Sequence, residues 1–128
     1  MTLSDSTPSH QEIFEHYIYA GAITRNPDAV AALFTEDGVY EAPLVADGDP
    51  RQRRLAGREA IRAGIGAYQT GSERADVERT TFVLHETADP DVFITEIDAV
   101  LTDAGTMSLV QIFRVKDGQI VSLRDYFA

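Results

Sequence analysis

The second half of the chain constrains the fold most, because from about residue 76 onward it has the sequence pattern of strands. Its segments are rich in β-branched and aromatic residues, and apolar and polar positions tend to alternate along them. Asp117-Gly118 is the dipeptide of a tight two-residue hairpin turn. The pattern predicts a four-stranded antiparallel meander over residues 76–87, 92–102, 106–116 and 119–127.

The first half has the signals of helices instead. Ser9 and Glu12 have the spacing of a capping box, and Asn26-Pro27 has an N-cap residue followed by proline at the first helical position. We therefore expect helices over 10–24, from 27 and over 57–68, with a turn at 37–38, a short strand at 39–42 and a loop over 43–56.

Segregated helices and strands predict an α+β protein rather than a doubly wound one. We expect a cone-shaped, curved and mostly antiparallel sheet, with three helices enclosing an apolar pocket between helices and sheet. At 128 residues a single domain is the default, so we expect one domain over 9–128 and a disordered tail over 1–8.

Composition narrows the classes of function. A formal net charge of −10 disfavours nucleic acid and anionic membranes as partners. There is no cysteine, so disulfides, thiolate metal sites and cysteine nucleophiles are excluded. The first residues have no signal-peptide pattern and no apolar run is long enough to span a bilayer, so we expect a cytoplasmic protein. The three histidines have no ligand spacing and no phosphate loop is present, so we expect no metal and no cofactor.

One acid stands out on the last strand. Alternation places Val121, Leu123, Asp125 and Phe127 on one face. If that face is inward, Asp125 is a carboxyl among apolar neighbours, where its pKa rises unless it is paired or hydrogen-bonded. Such a group is a candidate for acid–base chemistry. The alternative is an acid at a strand end, in contact with solvent.

The two preceding strands differ in how clearly they show their inward face. On 106–116 the more apolar face includes Leu109, Gln111 and Phe113, and we place it inside. On 92–102, hydropathy places Glu96 and Asp98 outside, whereas a sheet covered from behind would turn both acids into the pocket. Composition leaves these two possibilities open.

Three stretches, 26–40, 55–61 and 112–120, make the chain similar to the nuclear transport factor 2-like superfold and, within it, to the SnoaL-like group. The resemblance covers about 9–127. That group includes polyketide cyclases and limonene epoxide hydrolase. The resemblance to the hydrolase implies that Asp125 activates water, that Asp98 is its partner acid facing the pocket, and that Tyr40 binds water.

Departures from these families limit what the resemblance implies. Ala42 and Glu96 replace the asparagine and the arginine of limonene epoxide hydrolase. Ketosteroid isomerase, a more distant member, has its base and its two oxyanion groups where this chain has Ala42, Ile18 and Gln111. We therefore expect no steroid isomerisation by that mechanism.

The expected function is cofactor-independent acid–base chemistry on a small hydrophobic oxygenated molecule, either epoxide hydration or a ketide-type cyclisation or isomerisation. The alternative is a non-catalytic binding or dimerisation module of the same fold. A homodimer is expected in either case. The expected catalytic residues are Asp125, Asp98 and Tyr40, and the expected substrate-binding residues are Tyr17, Ile18, Ala42, Glu96, Leu109, Gln111, Phe113 and Leu123. Three arginines, Arg51, Arg53 and Arg54, form either a lid for an anionic ligand or a solvated loop.

Overall fold

The computed structural model describes residues 7–47, 49, 52–71, 74–101 and 105–127. Within them every helix begins before the last four strands, which follow one another to the end of the described chain, as the segregated sequence pattern predicts. The elements are α1 (His10–Ile18), a π-helical turn (Tyr19–Ile23), α2 (Pro27–Ala32), β1 (Phe34–Glu41), β2 (Arg54–Ala56), α3 (Arg58–Gly71), β3 (Thr81–Glu86), β4 (Val92–Leu101), β5 (Gly105–Lys116) and β6 (Gln119–Tyr126).

The six strands form one curved open sheet with the order β2-β1-β6-β5-β4-β3. Strands β3 to β6 make the predicted antiparallel meander. Strand β1 pairs parallel to β6, and β2 pairs antiparallel to β1 at the sheet edge. The expected α+β fold is therefore confirmed. Its consequence for function is that β1 and β6, far apart in sequence, lie side by side.

The helix starts follow from local chemistry. The Ser9 hydroxyl accepts from the Glu12 backbone N–H at 3.1 Å, and the Glu12 carboxylate accepts from the Ser9 N–H at 2.8 Å. The Asn26 side chain caps α2 by accepting from two backbone N–H groups, and Pro27 occupies the first helical position. Both predicted starts are confirmed.

The first strand and the meander each differ from prediction at one end. Asp37-Gly38 is not a turn but lies within β1, where the register to β6 shifts between Phe34 and Val39. A bulge absorbs the small, polar pair without ending the strand. At the other end, β3 is only six residues long, because the chain turns at residues 77–79 before it pairs with β4.

We call the sheet face that packs on the helices the inner face, and the opposite one the outer face. Phe14 and Tyr17 of α1 meet Phe113 of β5 edge to face on the inner face, with ring centroids 6.0 and 5.6 Å apart. Fully buried residues there include Phe34, Phe93, Phe113, Ile120 and Leu123. The apolar core thus lies between the helices and the inner face.

Val121 of β6 does not lie on the inner face, where we predicted it. Val121 is 38% exposed, while Ile120 is completely buried. The register between β5 and β6 shifts between Arg114 and Val115, and an irregularity of one residue exchanges the faces on its two sides. Beyond the shift, Leu123, Asp125 and Phe127 point inward as predicted.

Several expectations fall on residues outside the described part of the chain. These are Arg51, most of the N-terminal tail, and residues 103 and 104 between the second and third predicted strands of the meander. Arg53 donates to the Val45 carbonyl at 2.6 Å and pairs with Asp47, so its guanidinium is engaged within its own loop. No helix among the described residues is long and apolar enough to cross a membrane.

The β5–β6 turn depends on the backbone conformation of its two central residues. Asp117 and Gly118 both have positive φ, 51° and 81°, as a tight hairpin of this hand requires. A Cβ on Gly118 would be strained and would approach Pro8 Cδ to 2.9 Å. We expect Gly118→Ala to lower the free energy of unfolding by about 1–2 kcal/mol, measured by urea titration.

The matched control is Gly66→Ala in α3, where a Cβ would meet nothing closer than Pro27 Cγ at 3.5 Å. Alanine favours a helix interior over glycine by about 1 kcal/mol, so this variant should be neutral or more stable. Equal losses in the two variants would contradict the turn assignment.

Candidate active site

Asp125 lies near the end of β6 on the inner face and is only 7% exposed. The Tyr40 hydroxyl of β1 donates to its Oδ2 at 2.7 Å. Tyr40 comes within reach because β1 runs parallel beside β6, with Tyr40 paired to Leu123 in the register. The structure therefore brings together two of the three residues that the sequence analysis proposed as catalytic.

Asp125 belongs to a polar row that crosses the otherwise apolar inner face. Cross-strand pairing aligns Thr95 of β4 with Gln111 of β5, and Gln111 with Asp125 of β6. Thr95 and Gln111 are 0% and 3% exposed, and the Thr95 hydroxyl donates to Gln111 Oε1 at 3.3 Å. Since Thr95 occupies that oxygen, the Gln111 amide N–H₂ is left to interact with Asp125.

Burial raises the pKa of Asp125 from an ordinary 3.8 to about 6. The hydrogen bond from Tyr40 and the amide of Gln111 favour the ionised form and limit the rise. Oδ1, the other carboxyl oxygen, is buried and has no full hydrogen-bond partner among the described residues. Asp125 therefore has one oxygen held by Tyr40, while Oδ1 makes no hydrogen bond of normal geometry with the described residues.

Two phenols beside this carboxyl stay protonated. Burial, followed by the negative charge of Asp125, raises the pKa of Tyr17 and of Tyr40 well above the usual value of 10.0. Both hydroxyls are therefore hydrogen-bond donors at any physiological pH. A third tyrosine, Tyr68 of α3, lines the same cavity as these two and belongs to the same cluster.

A cavity of about 220 Å³ opens over Asp125, between the helices and the inner face. Its walls are mainly apolar. The expected substrate-binding residues that line it are Tyr17, Ile18, Leu109 and Gln111, together with the expected catalytic pair Tyr40 and Asp125. The cavity is thus a mainly apolar space with one carboxyl in its wall.

Part of the wall comes from the π-helical turn that follows α1. In this turn the Thr24 N–H reaches the Tyr19 carbonyl, five residues back, at 2.8 Å. Gly21 and Ala22, two of its three small residues, line the cavity. Single π-turns in helices are frequent at functional sites, and this one widens α1 where it meets the cavity.

The expectation that Asp98 and Glu96 face the pocket is wrong. Both are exposed on the outer face, where Ser108 donates to Asp98 at 2.6 Å and His85 contacts Glu96. Strand β4 instead turns Phe93, Thr95, Ile97 and Ala99 inward. Hydropathy decides the face of this strand, since turning it over would bury two carboxylates and expose four core residues. The paired-acid arrangement implied by the resemblance is therefore absent.

The three remaining residues expected to bind substrate do not line this cavity. Phe113 and Leu123 are fully buried beneath the cavity and support its floor without lining it. Ala42 lines a separate cleft on the far side of Tyr40.

Sequence reasoning left out two members of the polar cluster, Tyr68 and Thr95. Thr95 carries the same signal as Asp125, a polar side chain on an apolar strand face. Tyr68 lies three residues after Ile65 on the apolar stripe of α3.

Comparisons with known proteins agree with this architecture. A family model described as a SnoaL-like domain matches residues 14–123. No curated protein sequence matches the chain.

Among solved structures, a candidate isomerase from Bacillus subtilis is similar at 22% identity and a TM-score of 0.76, covering 100% of this chain and 90% of that one. A protein with a ketosteroid isomerase-like fold from Catenulispora acidiphila, in complex with trimethylamine, is 20% identical with a TM-score of 0.71, covering 94% and 88%. An epoxide hydrolase from M. tuberculosis that is like limonene epoxide hydrolase is 22% identical with a TM-score of 0.60, covering 91% and 80%. Identities this low show the fold alone.

The raised pKa of Asp125 predicts how stability varies with pH. The folded carboxyl binds its proton more tightly than the unfolded one. The penalty for burying the ionised carboxylate is therefore absent below about pH 3.8 and complete above about pH 6. The Asp125→Asn variant does not titrate there. Its free energy of unfolding relative to the parent should therefore rise by roughly 2.5 kcal/mol between pH 4 and pH 7.

Urea unfolding of both proteins across this range measures the difference, in which every other titrating group cancels. A difference that stays constant with pH would show that Asp125 titrates near its ordinary value.

Proposed function

We propose that this chain, which belongs to the SnoaL-like domain family, is a cofactor-independent acid–base enzyme acting on a small, mainly apolar molecule with one oxygen function. The observation that carries the proposal is Asp125, a buried carboxyl with a pKa of about 6 and one unpartnered oxygen, in an apolar cavity. A general acid or base works best when its pKa lies near the working pH.

Proton transfer within a carbonyl compound is the reaction we favour. Asp125 Oδ1 takes a proton from a carbon beside the carbonyl and returns it to another atom of the same molecule. The protein needs only one carboxyl for this sequence, and both protonation states of Asp125 are populated near pH 6. Isomerisation and ketide-type cyclisation both fit the scheme.

Epoxide hydration fits less well, although a structural neighbour is an epoxide hydrolase. With Asp98 and Glu96 outside, Asp125 is the only carboxyl among the described residues that line the cavity. A single carboxyl would have to activate the water while another group protonated the epoxide. The sequence leaves the two reactions open, and the single carboxyl favours proton transfer over hydration.

Tyr17 is the proposed donor to the substrate oxygen. Its side chain lines the cavity, and its pKa is raised well above 10.0, so its hydroxyl stays protonated beside Asp125. A hydrogen bond from Tyr17 would stabilise the negative charge that develops on the carbonyl oxygen as Asp125 removes the proton. Tyr40 holds Oδ2 and orients the carboxyl.

We also propose a homodimer built through the outer face. An antiparallel sheet facing water alternates polar residues outward, yet this face carries Val83 and Val110, 55% and 37% exposed, beside partly exposed Ile94 and Ile112. The register aligns Val83, Glu96, Val110 and Tyr126 in one row across four strands. A second copy would cover the apolar members of this row, in which Glu96 is the one charged residue and is in contact with His85.

Deuterium exchange tests the chemistry without knowing the natural substrate. In D₂O the parent protein should exchange the protons beside the carbonyl of cyclopentanone, followed by NMR. Asp125→Asn should slow this about 10²- to 10⁴-fold, because it cannot accept a proton, while the ketone still binds. Asp98→Asn is the matched control and should leave the rate unchanged, since Asp98 lies on the outer face.

Exchange should rise with pH and level off above about pH 6, as the ionised form of Asp125 becomes complete. Binding without exchange in the parent, across cyclic and linear ketones, would favour a non-catalytic binding module over an enzyme.

Sedimentation tests the dimer. The parent should sediment as a dimer at micromolar concentration, and Val110→Glu should shift it to monomer, because each copy would bury a carboxylate beside Glu96. Leu44→Glu, at an exposed loop position outside the sheet, should have no effect. A monomeric parent would refute the proposal.

A further inference from the structure

A second, larger space lies beyond the candidate active site. It is a cleft between α3, the β1–β2 pair and described residues of the segment that joins β1 to β2, with a volume of about 750 Å³. Its wall consists of small and apolar residues with few polar ones: Tyr40, Ala42, Val45, Asp49, Gln52, Leu55, Ala60, Ala63, Gly64, Ile65, Ala67, Tyr68 and Phe127. We refer to this space as the second cleft.

The second cleft shares a wall with the cavity over Asp125. Tyr40, Ile65, Tyr68 and Phe127 line both spaces. Tyr40 is the residue whose hydroxyl holds Asp125, and Tyr68 meets Phe127 edge to face with ring centroids 6.2 Å apart. A ligand in the second cleft therefore contacts some of the side chains that a ligand at Asp125 contacts.

The two volumes indicate what each space accommodates. Ligand pockets commonly measure about 300–1,000 Å³. The cavity over Asp125, at about 220 Å³, falls below this range, whereas the second cleft, at about 750 Å³, falls within it. The first space suits the reacting end of a molecule, and the second suits the rest of it.

The lining of the second cleft identifies the chemistry of its occupant. Among the described lining residues the only charged side chain is Asp49, and none is a cation. Ala42, Ala60, Ala63 and Ala67 are short where longer apolar side chains would fill the space. Gly64 has a separate explanation, since a Cβ there would come within 2.5 Å of Leu55 Cδ1. The cleft therefore suits an uncharged apolar chain or ring.

We propose that the second cleft binds the apolar chain or ring of the substrate whose carbonyl end lies at Asp125. The assignment of the carbonyl end rests on the proposed function, whereas the assignment of the cleft rests on its own size, lining and shared wall. The substrate would extend across the wall that the two spaces share, where Tyr68 meets Phe127. The enzyme thus selects long or bulky ketones over short ones.

Binding of two linear ketones, 2-butanone and 2-nonanone, tests this by NMR titration with no turnover required. The parent should bind 2-nonanone at least a hundredfold more tightly, since each buried CH₂ group strengthens binding about fourfold. Ala63→Phe, at an exposed helical position on the cleft wall, should weaken 2-nonanone at least tenfold and leave 2-butanone unchanged.

Two further variants locate each end of the ligand. Ala22→Phe narrows the cavity over Asp125 and should weaken both ketones. Thr70→Phe, at an exposed position of α3 that lines neither space, is the matched control and should weaken neither.

The inference is overturned if 2-nonanone fails to bind the parent, or if Ala63→Phe affects its binding no more than Thr70→Phe does. The outcome is independent of the chemistry. If the ketones follow the predicted pattern and cyclopentanone shows no exchange, the second cleft stands and the proposed enzymatic function falls.

Discussion

The hydrogen bond from Tyr40 to Asp125 connects the fold to the candidate chemistry. It joins β1, from the helical half of the chain, to β6, the last strand, through a donor and an acceptor that are both buried. A carboxyl in an apolar interior is costly unless it is neutralised or hydrogen-bonded. Tyr40 and Gln111 reduce this cost only in part, which is why the pKa of Asp125 stays near 6. A better-satisfied carboxyl would be more stable and less suited to exchange protons near neutral pH.

Much of this site follows from the sequence by strand periodicity alone. Asp125, Gln111 and Thr95 are polar residues on apolar strand faces, and each lies on the inner face. The meander with its hairpin at Asp117-Gly118 then brings the three into one cross-strand row. Periodicity failed at Val121, because a register shift between β5 and β6 depends on how two strands pair and leaves no mark in either strand alone.

The face of β4 shows how two kinds of inference can conflict. Hydropathy placed Phe93, Thr95 and Ile97 inside, and a resemblance to an epoxide hydrolase placed Asp98 there instead. Burial of Phe93 and Thr95 follows hydropathy. A resemblance at fold level fixes the order of strands, but matching single residues at low similarity is subject to one-residue errors. In a strand, such an error exchanges the two faces. The parallel contact between β1 and β6 was likewise beyond local pattern, because it joins segments separated by more than 70 residues.

The loss of a second acid makes the remaining one easier to interpret. Two carboxylates in one apolar cavity would share protons, and neither would have a pKa of its own. Here the pKa of Asp125 reflects mainly burial, corrected by two neutral hydrogen-bonding groups. The ionisation of Asp125 then depends on how far the cavity excludes water. A substrate that fills the cavity and the second cleft would exclude water from around Asp125 and raise its pKa further, which favours the protonated acid once the ligand is bound. A smaller fraction of the protein would then hold the ionised carboxylate at a given pH, but each ionised carboxylate would be a stronger base, since desolvation destabilises it.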